Sequence, residues 1–97
     1  MAVRQDLPRG IQAANLIHAA GFSSPGNLPP HTHAIALAVP DEAALWRLSD
    51  ALHRAGIEHV RVIEFDEPFA GQLLAIGVAP RPKEVLRRYL SSLPLLR

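Results

Sequence analysis

The most constraining feature of this sequence is one amphipathic helix between two short apolar runs. From Asp41 to Ala55, apolar residues recur at spacings of three and four, so they form one stripe along the helix. The stripe consists of Ala44, Leu45, Leu48, Leu52 and Ala55. Residues 34–39 before the helix and 59–65 after it have the length and composition of strands. A strand, a helix and a second strand in this order predict an α/β fold.

A first strand and a first helix precede this unit. Residues 2–5 predict the strand, residues 6–10 a loop and residues 11–20 an alanine-rich helix. Gly21 is expected to end that helix, because glycine readily adopts the left-handed conformation found after a helix. Residues 22–30 are rich in proline and glycine and predict a second loop.

A hairpin and a last helix follow the unit. The turn 66–71 is short and contains a proline and a glycine, so residues 59–65 should pair antiparallel with residues 72–78. Two prolines then introduce a helix that extends to about Leu90. The predicted order is βαβαββα, in one α/β domain over residues 1–97 whose mixed four-stranded sheet is flanked by helices.

Composition and charge exclude several classes of protein. The chain has no cysteine, which excludes disulfides and cysteine metal cages. No apolar run approaches the roughly 20 residues that cross a bilayer, so we expect a cytoplasmic protein without membrane contact. The net charge of +1 is unevenly divided, with +4 on residues 81–97 and −3 on the rest. A basic segment of this kind can contact phosphates, but it is more often the solvated face of a helix.

The first loop is a candidate site. A strand that ends beside a helix N-terminus leaves backbone N–H groups free, and these attract a phosphate or a developing oxyanion. Arg4 and Arg9 flank the loop, Asp6 lies inside it and Gly10 ends it. A tight strand-to-helix turn that needs its glycine only for geometry is the simpler interpretation.

A longer pattern begins in this loop. It combines an R-x-D-L string with a helix of the form G-x-x-A-A-Q-x-x-H-A. The corresponding residues are Arg4, Asp6, Leu7, Gly10, Ala13, Ala14, Asn15, His18 and Ala19. With the middle strand and helix, and with Glu67-Pro68 and Leu74–Gly77 near the hairpin, the chain resembles the type 2 peptidyl-tRNA hydrolase superfamily over nearly its whole length.

This resemblance implies a role in translation, with tRNA as partner. The reaction would be hydrolysis, without a metal or other cofactor, of the ester that joins a peptide to the terminal ribose of tRNA. The positions that the resemblance implies for catalysis are Asp6, Gly10, His18 and the Asp66-Glu67 pair. Asp66 is the preferred general base, because a turn beside an apolar strand can partly desolvate its carboxylate, and Asp6 is the second choice. The candidate substrate-binding residues are Gly10, Asn15 and Glu67, with Arg4, Arg9, Arg87 and Arg88 as phosphate contacts if tRNA binds.

The sequence departs from that family where the family carries lysines. A K-x-G-K run precedes the helix in the family, whereas Pro8-Arg9-Gly10-Ile11 stands here. Asn15 replaces a glutamine and Leu74 replaces a threonine. The chain therefore resembles a divergent, lysine-poor branch, and any ester hydrolysis is expected to be slow.

A non-catalytic module that binds a small ligand or RNA is the alternative. The stretch from His31 to Val62 also resembles ferredoxin-like ligand-binding modules. The order of the strands discriminates between the two interpretations. In a hydrolase-like fold, the first strand should lie inside the sheet. In a ferredoxin-like module, it should lie at the edge of the sheet or be an extra strand.

Two further features have local interpretations. His31 and His33 are two residues apart, so on a strand their imidazoles would lie on the same face and could bind one metal ion. No clear third ligand accompanies them, so no metal site is predicted. Trp46 lies off the apolar stripe. It predicts a contact surface, for a nucleic-acid base or for a second copy in a homodimer, or partial burial under the proline-rich loop.

Overall fold

A computed structural model describes all 97 residues. Seven elements follow one another along the chain in the predicted order βαβαββα. They are β1 (Ala2–Arg4), α1 (Arg9–Ser23), β2 (Leu37–Val39), α2 (Glu42–Arg54), β3 (Val60–Ile63), β4 (Leu73–Gly77) and α3 (Lys83–Leu90). No helix combines the length and the apolar character that crossing a membrane requires.

The four strands form one mixed sheet, as predicted. Their order is β2-β1-β4-β3, with β1 parallel to β2 and antiparallel to β4, and with β3 antiparallel to β4. The strand β1 therefore lies inside the sheet. One irregularity interrupts the hairpin, where Val62 pairs with Ala75 and Ile63 pairs with Leu73, so that Leu74 has no partner on β3.

Helices cover both faces of the sheet. One apolar cluster joins α1 to the sheet through Ala19, Val3 and Leu74. A second cluster joins α2 to the other face, and side chains of α3 pack against that same cluster. The second cluster is built mainly from large aliphatic residues: Leu37, Val39, Leu45, Leu48, Leu52, Ile57, Leu73 and Ile76.

The helix α2 matches its sequence signals closely. Asp41 caps it, because its carboxylate accepts a hydrogen bond of 2.9 Å from the N–H of Ala44. Gly56 follows its end with a φ of 72°, the left-handed conformation expected of that glycine.

The helix α1 is longer than predicted at both ends. It begins at Arg9, so Gly10 belongs to its first turn and not to the loop. It also continues through Gly21 to Ser23, whose hydroxyl donates to the carbonyl oxygen of Ala19 at 2.7 Å. The end prediction was wrong because α1 stays packed on the sheet in this region, where Gly77 lies directly beneath Ala19.

The two edges of the sheet differ. The strand β2 begins at Leu37 and not at residue 34, because β1 offers it only three pairing residues. Its outer side is covered by the chain end, since Leu95 forms a bridge with Leu37 and Ala38 donates its N–H to Pro94 at 2.9 Å. No strand covers the outer side of β3.

Candidate functional site

The first loop and the hairpin turn meet at one end of the sheet. Arg4 ends β1, and its guanidinium donates to the side-chain oxygen of Gln72, just after the turn, at 2.8 Å. It also donates to the backbone oxygen of Leu73 at 3.3 Å. The position of β1 beside β4 brings these two segments together.

Arg4 and Asp6 form a bidentate pair within this end of the sheet. The Arg4 Nε and Nη2 atoms donate to the two carboxylate oxygens of Asp6 at 2.9 and 3.0 Å. The hydrogen bond from Arg4 lowers the pKa of Asp6, and the same hydrogen bond raises the pKa of Arg4. Arg4 is only 7% exposed, so its guanidinium holds the loop in place and does not face solvent as a phosphate contact would.

The N-terminus of α1 leaves backbone donors free. Pro8 occupies the capping position and provides no side-chain cap. The N–H groups of Arg9, Gly10 and Ile11 have no acceptor in the chain. The guanidinium of Arg9 is exposed and donates to the backbone oxygen of Arg97 at 2.6 Å.

A groove of about 330 Å³ runs between α1 and β3. Its lining is mostly apolar and contains the polar side chains of an asparagine, a histidine and a glutamate. The residues around it are Gly10, Ile11, Ala14, Asn15, His18, Phe22, Val62, Ile63, Glu64 and Phe65. Three of the implied site residues, Gly10, Asn15 and His18, therefore share one surface.

His18 projects from α1 into this groove. Its ring stacks on Phe22 at a centroid distance of 5.7 Å and an interplanar angle of 17°. Neither ring nitrogen has a hydrogen-bond partner in the chain, and the side chain is exposed. An exposed imidazole in this state can accept or donate a proton at a bound molecule.

The two buried amides of α1 serve its structure. Asn15 donates to the backbone oxygen of Ile11 at 2.9 Å. Gln12 donates to the backbone oxygen of Leu7 at 2.7 Å and so ties the first loop to the helix, while its own Oε1 is buried without a partner. Asn15 still borders the groove, but its amide nitrogen is already engaged.

Glu64 is a groove residue that no motif in the sequence indicates. Its Oε1 accepts hydrogen bonds from the N–H groups of Phe65 at 2.9 Å and Asp66 at 3.2 Å. The carboxylate of Asp66 is exposed, has no partner in the chain and lies outside the groove, as does Glu67. The available signal for Glu64 was its alternation with Val60 and Val62, which puts an acidic group on the inward side of the strand.

Arg87 and Arg88 lie away from the groove. They belong to α3, whose apolar side chains pack on the α2 face of the sheet, whereas the groove lies on the α1 face. Trp46 is also on the α2 side, half-buried beneath the guanidinium of Arg61, which lies 4.9 Å from its ring centroid. The structure does not bring the two α3 arginines together with His18.

A serine and a histidine meet on the α2 side. The hydroxyl of Ser49 lies 2.6 Å from Nε2 of His59 and accepts a hydrogen bond of 2.7 Å from Arg61. Because Ser49 is fully buried, no substrate reaches its hydroxyl, and the cluster ties β3 to α2. His31 and His33 lie in the exposed loop before β2, and no three histidine or acidic side chains are close enough to hold a metal ion.

No protein-family model matches this sequence, and no curated protein matches it.

Proposed function

We propose that this chain is a peptidyl-tRNA hydrolase-like protein with weak ester hydrolase activity. The observation that carries the proposal is the interior position of β1, which brings the first loop, the N-terminus of α1 and the hairpin to one end of the sheet. This strand order supports the hydrolase-like interpretation over the ligand-binding module.

The proposed reaction uses the groove between α1 and β3. A water molecule attacks the ester carbonyl carbon and loses a proton to His18, whose free ring nitrogens suit that role. The bond between the carbonyl carbon and the ribose oxygen then breaks, and that oxygen takes up the proton that His18 accepted from the water. Glu64 lies on the β3 side of the groove, where a carboxylate can orient the water or the imidazolium.

The free N–H groups of Arg9, Gly10 and Ile11 are the proposed donors to the tetrahedral oxyanion. No lysine ammonium assists them, since Ile11 stands where the family carries a lysine. Removal of one preorganised oxyanion donor lowers kcat by roughly 100- to 1000-fold in other enzymes, so the rate should be low.

Cleavage of peptidyl-tRNA by the purified protein tests this proposal. We expect slow release of the peptide by the wild type and a loss of roughly 100-fold or more in His18→Gln, because a general base contributes about that much. His33→Gln is the matched control, since His33 is also exposed but lies in the loop before β2. Wild-type rates in His18→Gln would remove His18 as the base, and Asp66→Asn and Asp6→Asn then test the two remaining candidates.

A non-catalytic binding module is the second candidate. It is favoured by the exposed rings of Phe22 and Phe65 at the groove, which suit binding more than catalysis. Retention of tRNA without any cleavage would support it. If tRNA binds, its affinity should fall steeply with salt, because contacts with phosphates release counterions.

A further inference from the structure

We propose that the open edge of β3 pairs with the β3 edge of a second copy of this chain, forming a two-fold symmetric dimer with one continuous eight-stranded sheet. The other edge of the sheet is already covered by residues 94–96. An uncovered edge strand presents unpaired backbone groups that readily accept another strand. The proposal does not depend on hydrolase activity, and because Phe22, Ile63 and Phe65 also line the groove, the dimer would compete with a substrate for that surface.

The backbone of β3 has free groups in the required positions. The N–H of Glu64 donates to the backbone oxygen of Gln72 at 3.0 Å, and the backbone oxygen of Glu64 accepts from the N–H of Gly71 at 2.8 Å. Both backbone groups of Glu64 therefore face the β4 side of the hairpin. In an antiparallel pair, this orientation alternates along the strand. The N–H and C=O groups of Arg61 and Ile63 therefore point away from β4 and are available to another strand.

These positions select one register. If Val62 lies opposite the same residue of the second copy, each Arg61 lies opposite an Ile63, and all the outward groups of these two residues find partners. A register centred on Ile63 would instead require the N–H of Phe65, which Glu64 already binds. Within residues 60–64, the Val62 register also keeps like charges from lying directly opposite each other.

The apolar surface beside the edge has the extent that a dimer needs. Phe22, Ile63 and Phe65 are 63%, 37% and 89% exposed. At about 200 Å² for a phenylalanine, these side chains expose on the order of 350 Å². A standard interface buries ~800 Å² on each partner, of which a little more than half is apolar. The three side chains supply most of that apolar share, and the half-buried Val60 adjoins them.

The two charged side chains within residues 60–64 do not oppose self-association. Arg61, the basic residue of β3, is bent back onto the ring of Trp46 and the hydroxyl of Ser49. Glu64 is folded onto its own backbone. Neither charge therefore extends from the edge toward an approaching copy.

Sedimentation equilibrium over a range of micromolar concentrations tests the dimer. We expect the wild type to approach twice the chain mass of 10.6 kDa. Ile63→Lys should raise the dimer dissociation constant at least about tenfold, because a buried lysine is costly to desolvate. Val85→Lys is the matched control, since Val85 is 41% exposed on α3, away from this edge.

Amide hydrogen exchange of the wild type identifies the interface independently of any variant. The amides of Arg61 and Ile63 should exchange more slowly in concentrated than in dilute samples. A monomer at every concentration would overturn the proposal. So would equal dissociation constants for the wild type and a folded Ile63→Lys, or exchange at these two amides that ignores concentration.

Discussion

The two faces of the sheet are held together in different ways. On the α2 face, large aliphatic side chains fill the core, and Leu45, Leu52 and Leu73 have no exposed surface. On the α1 face, small residues bring backbone close to backbone, as where Ala19 lies over Gly77. The α2 face thus gains its stability from buried volume, and the α1 face depends on close approach.

The outer sides of the two helices differ as well. The helix α2 begins with the cap Asp41 and has the cationic Arg54 in its last turn, a charge that suits the helix dipole. The helix α1 has no side-chain cap and no acidic or basic residue between Gly10 and Ser23, apart from a histidine. Stability is therefore concentrated around α2, whereas unpaired donors and exposed apolar groups are concentrated around α1.

The largest expected effect is on the α2 face. Leu52→Ala should lower the free energy of unfolding by about 3 kcal/mol, because it leaves a cavity among fully buried neighbours. Urea unfolding at equilibrium measures this change. Val85→Ala, at a half-exposed position of α3, should cost under about 1 kcal/mol. A loss below about 1 kcal/mol for Leu52→Ala would contradict the assignment of the main core to this face.

On the α1 face, a larger side chain should lower the stability of the fold. Gly77→Ala places a methyl group against the carbonyl oxygen of Ala19 and should cost about 2 kcal/mol. Gly21→Ala is the matched control, since no atom lies within 4 Å of the added carbon, and it should stabilise by about 0.5–1 kcal/mol. Thermal unfolding of both variants measures the contrast. Equal effects of the two substitutions would show that the helix does not rest on the sheet at Gly77.

The pair of Arg4 and Asp6 should make stability depend on acidity. Asp6→Asn leaves a buried guanidinium without its carboxylate and should cost about 1–3 kcal/mol at neutral pH. Because the folded state lowers the pKa of Asp6, the contribution is complete above the unfolded carboxyl pKa of about 4. It is lost as the pH falls through the lower pKa of the folded state.

Unfolding free energies measured against pH for the wild type and Asp6→Asn should therefore converge under acidic conditions. Asp66→Asn should follow the wild type at every pH, since the carboxylate of Asp66 has no partner. If the unfolding free energies of the wild type and Asp6→Asn differed by the same amount down to strongly acidic pH, the loss of stability would not be due to the ionisation of Asp6.

The smallest effect is expected at the start of α2. Asp41→Ala removes the hydrogen bond to the N–H of Ala44 and should cost about 1 kcal/mol. Asp50→Ala should change little, because its pairing with Arg61 is exposed and 3.9 Å long. Thermal melts of the two variants, compared with the wild type, test whether this helix depends on its cap.

The element order could be predicted because each element has a strong local signal. The apolar stripe of α2 predicted both ends of that helix closely. The end of α1 could not be predicted in this way, since Gly21 is a local stop signal that contact with the sheet overrides. The start of β2 depends on the length of β1, which is a property of the pairing and not of β2 itself.

The candidate site was predictable to a smaller extent. The meeting of the first loop with the hairpin follows from strand order, which no short motif encodes. The burial of Arg4 depends on the neighbouring Gln72, which is distant in sequence. Glu64 was missed because an acidic residue on the inward side of a strand has no local sign that a groove lies beside it.

The interior position of β1 also determines when the sheet can be completed. Val3 pairs with Ala38 and Ala75, which follow it by 35 and 72 residues. The hairpin of β3 and β4 closes over a far shorter stretch of chain. Because distant pairings bring a loop-closure cost before any contact compensates it, the hairpin should form early and the insertion of β1 should limit the folding rate. During synthesis on the ribosome, β1 is made before β4, so the sheet cannot be completed until β4 has been synthesised.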